Sequence, residues 1–200
     1  MFVQVMEGKV SDPEGLGRQL GKWVSELKSG AAGFVGTTAG VTDDRRSVAI
    51  VRFESEQAAR ANSDRPEQGA WWAETEQCFD GPVTFSESSD VETLLGGGSD
   101  DAGFVQVMKV SGVDRARIKA ADAVFEKLAP ELRPDLIGSV RVWTGPDSII
   151  EANYFISEKA AREGEKVEPP ADQAAEFADF MSMMSNAEWF DFTEPFLDSA

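Results

Sequence analysis

The five-residue segment FVQVM occurs twice in this 200-residue chain, at residues 2–6 and again at residues 104–108. Its valine and phenylalanine content is typical of a β-strand. Two further pairs of segments align at the same offset of 102 positions: FVG at 34–36 with LIG at 136–138, and FESEQAAR at 53–60 with FISEKAAR at 155–162. Three matches at one offset indicate an internal duplication, so the chain is predicted to fold as two copies of one unit.

The offset grows towards the end of each copy. Pro66 best matches Pro170, an offset of 104, and the CFD segment at 78–80 matches the WFD segment at 189–191, an offset of 111. We therefore predict that the second copy gained two residues in a loop and then seven more. Seven residues are close to two helical turns, an insertion that keeps the buried face of a helix in place.

Each copy contains the signals of a β-α-β-β-α-β unit. In the first copy a strand precedes Asp12-Pro13, which is typical of a helix start, and apolar residues at helical spacing continue to Leu27, with Gly30 as the expected end. A strand hairpin, a helical region broken near Pro66 and a last strand follow, and the second copy ends with a strand near 190–196. This order predicts an α+β fold made of two ferredoxin-like units at 1–95 and 104–200, joined by a linker at 96–103.

Composition limits the classes of function. The net charge of −17 opposes binding to nucleic acid, and no apolar run is long enough to span a membrane. A single cysteine, Cys78, excludes an internal disulfide, so we expect a cytoplasmic protein. The chain has no histidine, which removes the usual general base and the commonest metal ligand. We therefore expect neither a metal nor another cofactor.

Three stretches carry a resemblance to a known family: the FVQVM strand, RFESEQAARANSDRP at 52–66 and WWAETEQCFDGPVTF at 71–85. They resemble the antibiotic biosynthesis monooxygenase-like superfamily, in particular its two-domain actinobacterial members of unassigned function. The resemblance implies a dimeric α+β barrel whose halves lie in one chain as an internal pseudo-dimer, with further homo-oligomerisation left open. It also implies a cofactor-independent monooxygenase acting on a small aromatic molecule. The alternative is a noncatalytic ligand-binding or interaction protein with the same fold.

The resemblance also suggests a site in the first copy. Asn62, Trp71 and Trp72 are similar to the asparagine and tryptophan of the family in type and spacing, which makes them candidate catalytic residues. The second copy lacks the tryptophan pair. Candidate substrate-binding residues are Gln4, Arg65 and Glu74, and Glu74 would be the carboxylate base if the substrate's own acidity does not suffice.

Structural alternatives exist for most of these residues. Both tryptophan rings could belong to the core, and Asn62 could simply end a short helix. Gln4 and its counterpart Gln106 could form hydrogen bonds across the seam between the two halves of the pseudo-dimer. Arg65 could form an ion pair with Glu67. Outside this group, three further interpretations are open: Arg141 and Trp143 on one strand face of a second pocket, Cys78 as a small buried hydrophobe, and the Met181, Met183 and Met184 cluster as core or lid.

Overall fold

A computed structural model describes all 200 residues as two compact units. The first comprises Met1–Val91 and Glu194–Ala200, and the second comprises Glu92–Thr193. Each unit contains one five-stranded antiparallel sheet together with helices. The predicted α+β class and the tandem duplication are therefore confirmed.

In the first unit the sheet order is β10-β2-β3-β1-β4. Its core joins the sheet residues Phe2, Phe34 and Phe53 to Trp23 and Trp71 from the helical segments. The elements are β1 (Phe2–Lys9), α1 (Pro13–Lys22), β2 (Phe34–Val41), β3 (Arg46–Phe53), α2 (Glu56–Ser63), α3 (Pro66–Thr75) and β4 (Thr84–Ser88), with β10 (Phe196–Ser199) from the end of the chain.

In the second unit the sheet order is β5-β7-β8-β6-β9. Its elements are β5 (Val91–Leu94), β6 (Phe104–Ser111), α4 (Arg115–Leu132), β7 (Leu136–Gly145), β8 (Ser148–Phe155), α5 (Glu158–Gly164), α6 (Ala174–Met183) and β9 (Glu188–Phe192). Residues 95–103, between β5 and β6, contain neither helix nor strand.

Strand register shows that the two copies are equivalent at an offset of 102. Phe2 pairs with Phe53 as Phe104 pairs with Phe155, and a bulge follows the first residue of both β2 and β7. The same side-chain caps recur as well, because Asp12 and Asp114 each accept hydrogen bonds from the first turn of the following helix.

Register corrects the offset that the sequence suggested for the last part of the repeat. Val5 pairs with Ser86, and its counterpart Val107 pairs with Phe190, so β4 and β9 correspond at an offset of 104 rather than 111. The match of CFD with WFD was therefore wrong, as was the seven-residue insertion. Cys78 ends a short 3₁₀ turn, whereas Trp189 lies within β9.

The predicted last strand of the second copy is in fact two strands. Pairing with β6 ends at Phe192, and after a break at Pro195, which has no amide proton to give a ladder, β10 pairs with β2. Each sheet thus gains a fifth strand from the end of the other sequence repeat: β10 joins the first unit and β5 joins the second. Four strands per copy were expected.

The first helix also ends differently from the expectation. Its α-helical part stops at Lys22, a π-helical turn covers Trp23–Leu27, and a 3₁₀ turn covers Lys28–Gly30. The Ser25 hydroxyl donates to the backbone carbonyls of Gly21 and Lys22, which competes with the regular helical bonds and accounts for the widened turn. No helix in the chain is long and apolar enough to cross a membrane.

Candidate functional site

A cavity of about 270 Å³ lies within the first unit, on the side of the sheet that the helices cover. Met6, Ala49 and Val51 line it from the sheet, while Leu20 and Trp23 line it from the first helical segment. None of its lining side chains is ionisable. The cavity is therefore an apolar space in which a few amide and hydroxyl groups provide all the polarity.

The tryptophan pair on α3 borders this cavity with both rings. Trp71 is only 8% exposed, and its indole N–H donates to the carbonyl of Gln19 at 2.8 Å. Trp72 is partly buried, and its ring packs edge-on against Phe85 with 5.2 Å between the ring centroids. Trp71 thus combines a core position with cavity contact, whereas Trp72 makes no hydrogen bond through its indole nitrogen.

Asn62 lies in the last turn of α2, buried and lining the cavity. Its Oδ1 accepts a hydrogen bond from Nη1 of Arg65 at 2.9 Å. Arg65 also donates to the carbonyl of Leu27 at 3.1 Å and to Glu67 at 2.9 Å. The ion pair between Arg65 and Glu67 is therefore present, and Arg65 contacts the back of Asn62 rather than the cavity itself.

Gln4 lines the cavity from β1, and its Nε2 donates to Glu87 on β4 at 2.9 Å. Arg60 donates to the same carboxylate at 2.7 Å, and its guanidinium lies 5.8 Å from the ring of Phe2. Hydrogen bonds from Arg60 and then from Gln4, outweighing desolvation, hold the pKa of Glu87 below its usual value.

The second unit repeats this cluster. Gln106 donates to Asp191 at 2.9 Å, and Arg162 donates to Asp191 while its guanidinium lies 5.2 Å from the ring of Phe104. Each glutamine therefore bonds within its own sheet, so the expected bonding between the two halves is not found. The same cluster of glutamine, arginine and carboxylate therefore occurs in both units. In each it links a helix, α2 in the first unit and α5 in the second, to the sheet of that unit.

Glu74 lies outside the cavity. Its carboxylate accepts from Lys22 at 2.8 Å and from Gln19 at 3.3 Å, and its side chain is 54% exposed. The hydrogen bonds from Lys22 and Gln19 lower the pKa of Glu74. A carboxylate that is exposed, paired and more acidic than usual is poorly suited to take a proton inside the cavity.

Several lining residues were not among the candidate site residues from the sequence, among them Gln68, Thr37 and Phe196. Gln68 precedes Trp71 and Trp72 by three and four positions, so helical spacing on α3 could have revealed it. Its Oε1 accepts from the indole N–H of Trp23 at 2.8 Å. Thr37 and Phe196 carried no such signal, because they enter the site from β2 and from β10.

The corresponding face of the second unit is charged instead of apolar. Three lining or adjacent positions of the first unit correspond, by the offset of 102 and by register, to ionisable residues: Leu20 to Asp122, Ala39 to Arg141 and Ala49 to Glu151. The side chain of Arg141 is 3% exposed and bonds Glu151 and Asp122, each at 2.6 Å. Burial alone would lower the pKa of Arg141, but the two carboxylates raise it above its ordinary value.

The fifth strand of each sheet also differs between the units, since it contributes an apolar residue in the first and a charged residue in the second. Phe196 of β10 pairs opposite Ala39 and lines the cavity. At the offset of 104 its counterpart is Glu92 of β5, whose carboxylate lies 3.3 Å from Nη1 of Arg141. The second unit therefore has a largely buried ion network at the positions that correspond to this part of the cavity.

Arg141 and Trp143, Cys78 and the methionine cluster all lie outside the lining of the cavity. Arg141 and Trp143 do share one face of β7, where Trp143 is buried under the guanidinium of Arg115 at 4.4 Å. Cys78 is buried, and desolvation raises the pKa of its thiol. Of the methionine cluster, Met184 is buried in the core and Met183 packs against it, whereas Met181 is exposed.

Comparison with known proteins supports the architecture. Neither a family model nor a curated protein sequence matches the chain. A proposed monooxygenase from Lactobacillus acidophilus NCFM superimposes with a TM-score of 0.72 at 13% identity, covering 99% of this chain and 95% of that one. A second, from Fusobacterium nucleatum subsp. nucleatum ATCC 25586, gives 0.72 at 9% identity over 99% and 94%.

The chain therefore shares the fold of these two proposed monooxygenases. An anthrone oxidase-like protein shares it with a TM-score of 0.59 at 12% identity, covering 98% of this chain and 93% of that one. Because these matches extend over nearly the whole of both chains, the monooxygenase-type fold applies to the two units together as a tandem.

Proposed function

We propose that the first unit binds a small aromatic molecule in its cavity and oxidises it as a cofactor-independent monooxygenase. The observation that carries this proposal is the cavity of about 270 Å³, on which Asn62, Trp71 and Trp72 converge. Drug-sized ligand pockets begin at roughly 300 Å³, so this space suits a molecule of two or three fused rings. The mostly apolar walls match such a ligand.

The polar groups of the cavity suit a substrate whose charge develops only during the reaction. No ionisable side chain lines the space, so proton transfer takes place between the substrate and the oxygen species that it reduces. The Nδ2 of Asn62 makes no bond within the protein and is available to stabilise an oxyanion on the ring. Arg65 holds the amide in place from behind.

A balanced reaction for such a site is the oxidation of a methylene carbon between aromatic rings. One atom of O₂ becomes the new carbonyl oxygen, and the other leaves as water with the two hydrogens of that carbon. The electrons come from the substrate itself, which is oxidised while O₂ is reduced. Exclusion of bulk water by the aromatic walls protects the reactive intermediate.

A second candidate function is noncatalytic binding of the same class of ligand. The observation that favours it is the same lack of an acid or base on the cavity. Under this alternative the amides and the tryptophans bind the ligand, and oxygen is not consumed. Binding and oxygen uptake therefore have to be measured separately.

The first test is a ligand titration of the wild type and of Trp71→Phe and Trp72→Phe. Anthrone is the first compound because an anthrone oxidase-like protein shares the fold, followed by phenols and quinols. We expect saturable quenching of tryptophan fluorescence and a raised melting temperature in the wild type. Trp72→Phe should lose most of the quenching, whereas Trp71→Phe should mainly lower stability, by about 1 kcal/mol, through the lost hydrogen bond to Gln19.

Oxygen uptake by the same proteins then separates the two candidates. Uptake that requires both anthrone and the protein supports the monooxygenase, and binding without uptake supports the noncatalytic alternative. If no compound in the panel changes the fluorescence or the melting temperature, the cavity is not a site for aromatic ligands and the proposal is wrong.

A further inference from the structure

We propose that three amide side chains, Gln4, Asn62 and Gln68, select the ligand by the opposite polarity of the groups they present. Asn62 and Gln68 present N–H donors from the helices, and Gln4 presents a carbonyl acceptor from the sheet. The ligand is therefore uncharged when it enters, with a hydrogen-bond acceptor facing α2 and α3 and a donor facing β1. This inference rests on the proposed function, since it concerns the same cavity.

The orientation of the two helical amides follows from donor-only partners. Asn62 bonds the guanidinium of Arg65, and Gln68 bonds the indole N–H of Trp23. Neither partner can accept a hydrogen bond, so each must contact the amide oxygen. The NH₂ groups of Asn62 and Gln68 make no other bond within the protein and remain to bind a ligand.

The orientation of Gln4 is the reverse for the same kind of reason. Its partner Glu87 is a carboxylate held by Arg60, and an ionised carboxylate can only accept. One hydrogen of the Gln4 NH₂ group is therefore bound to Glu87, and Oε1, which accepts no bond within the protein, remains as the acceptor for a ligand. An amide flip at any of these three residues would place two donors or two acceptors against each other.

The cavity also selects against charge. No lysine, arginine, aspartate or glutamate lines it, so a charged ligand group would lose its hydration without gaining an ionic partner. The net charge of −17 adds a general repulsion of anions. An uncharged molecule that offers one acceptor and one donor satisfies the amides without either cost.

Three small bicyclic probes test this assignment by titration of fluorescence. 6-Hydroxy-1-tetralone carries an acceptor and a donor at opposite ends, 1-tetralone carries the acceptor alone, and 1-naphthoate is an anion of similar size. We expect the hydroxy ketone to bind about three- to tenfold more tightly than 1-tetralone, the effect of one neutral hydrogen bond, and 1-naphthoate to bind most weakly.

Variants assign the two polarities to their residues. Gln4→Leu should remove the advantage of the hydroxy ketone and leave the affinity for 1-tetralone unchanged. Gln68→Leu should weaken both ketones by about three- to tenfold. Gln106→Leu is the matched control, because it breaks the equivalent bond to Asp191 in the second unit, far from these amides in sequence and in a unit where charged residues occupy the equivalent positions. Melting temperatures of all variants establish that they are folded.

Each outcome has one meaning. Equal affinity for the two ketones, or a Gln4→Leu variant that weakens both equally, overturns the assignment while leaving the proposed function standing. Tight binding of 1-naphthoate overturns the selection against charge. If neither these probes nor the anthrone panel binds, the proposed function is wrong and this inference fails with it.

Discussion

Arg65 controls the orientation of a cavity residue without lining the cavity. Its guanidinium bonds the side-chain oxygen of the buried Asn62 and the backbone carbonyl of Leu27, at the end of the π-helical turn. Both oxygens would lose their partner if Arg65 were shortened, and an unsatisfied buried acceptor costs roughly 1–3 kcal/mol. Arg65 is therefore a positioning residue in our interpretation.

We predict that Arg65→Met lowers the free energy of unfolding by about 1–3 kcal/mol and weakens binding of 1-tetralone, because the freed amide of Asn62 can rotate. Denaturant unfolding and the fluorescence titration measure the two effects. Arg60→Met is the control, since it removes an exposed ion pair to Glu87, which solvent screening makes a minor contribution to stability. Similar losses in both variants would contradict a special role for Arg65.

Among the structural elements, β10 is the one whose role in the site could least be expected. It is the edge strand of the first sheet, and Nζ of Lys28 anchors it through Asp198 at 2.9 Å. Phe196 at its start closes the cavity opposite Ala39, whereas the neighbouring Leu197 points to the other face of the strand. The size of the cavity therefore depends on a segment distant in sequence from every other lining residue.

We predict that Phe196→Ala enlarges the cavity and shifts ligand preference from two-ring to three-ring compounds by about tenfold, the discrimination that a hydrocarbon group in an apolar pocket provides. Paired titrations with 1-tetralone and anthrone measure the shift. Leu197→Ala, on the opposite face of the same strand, should leave the ratio unchanged. An unchanged ratio in Phe196→Ala would show that this ring does not limit ligand size.

Considered as a whole molecule, the chain has two units of the same topology but of opposite character at the equivalent place. The first has an apolar cavity, and the second has Arg141 surrounded by Glu151, Asp122 and Glu92. Replacing only one partner in such a network, the arginine or a carboxylate, lowers stability strongly, because the remaining buried charges are left unpaired. The duplication thus places an apolar cavity in the first unit and an ion network at the equivalent positions of the second.

We predict that the wild type binds one ligand per chain. Arg141→Ala alone should destabilise the second unit by about 3–5 kcal/mol, since it leaves buried carboxylates uncompensated. The triple variant Asp122→Leu, Arg141→Ala, Glu151→Ala copies the first unit and should recover much of that loss while adding a second site. Calorimetric titration measures the stoichiometry, and two ligands bound by the wild type would contradict the prediction.

Much of the fold could be predicted from the sequence, because its signals are local. The repeated FVQVM strand and its companions at an offset of 102 indicated the tandem duplication, and Asp12 marked a helix start where the structure has one. In the candidate site, the grouping of Asn62 with Trp71 and Trp72 also followed from one short stretch of chain. Burial periodicity and capping act between neighbours, so they are visible without a structure.

Only the tertiary structure decided which distant segments meet. The offset of β4 and β9, the exchange of β5 and β10 between sheets, and the contribution of Phe196 depend on strand pairing, to which local patterns are nearly indifferent. The polarity of Gln4 and Gln68 depends likewise on partners 83 and 45 residues away. A side-chain amide can present either its NH₂ donor or its carbonyl acceptor to the cavity. Its tertiary hydrogen-bond partner determines which of the two groups does so.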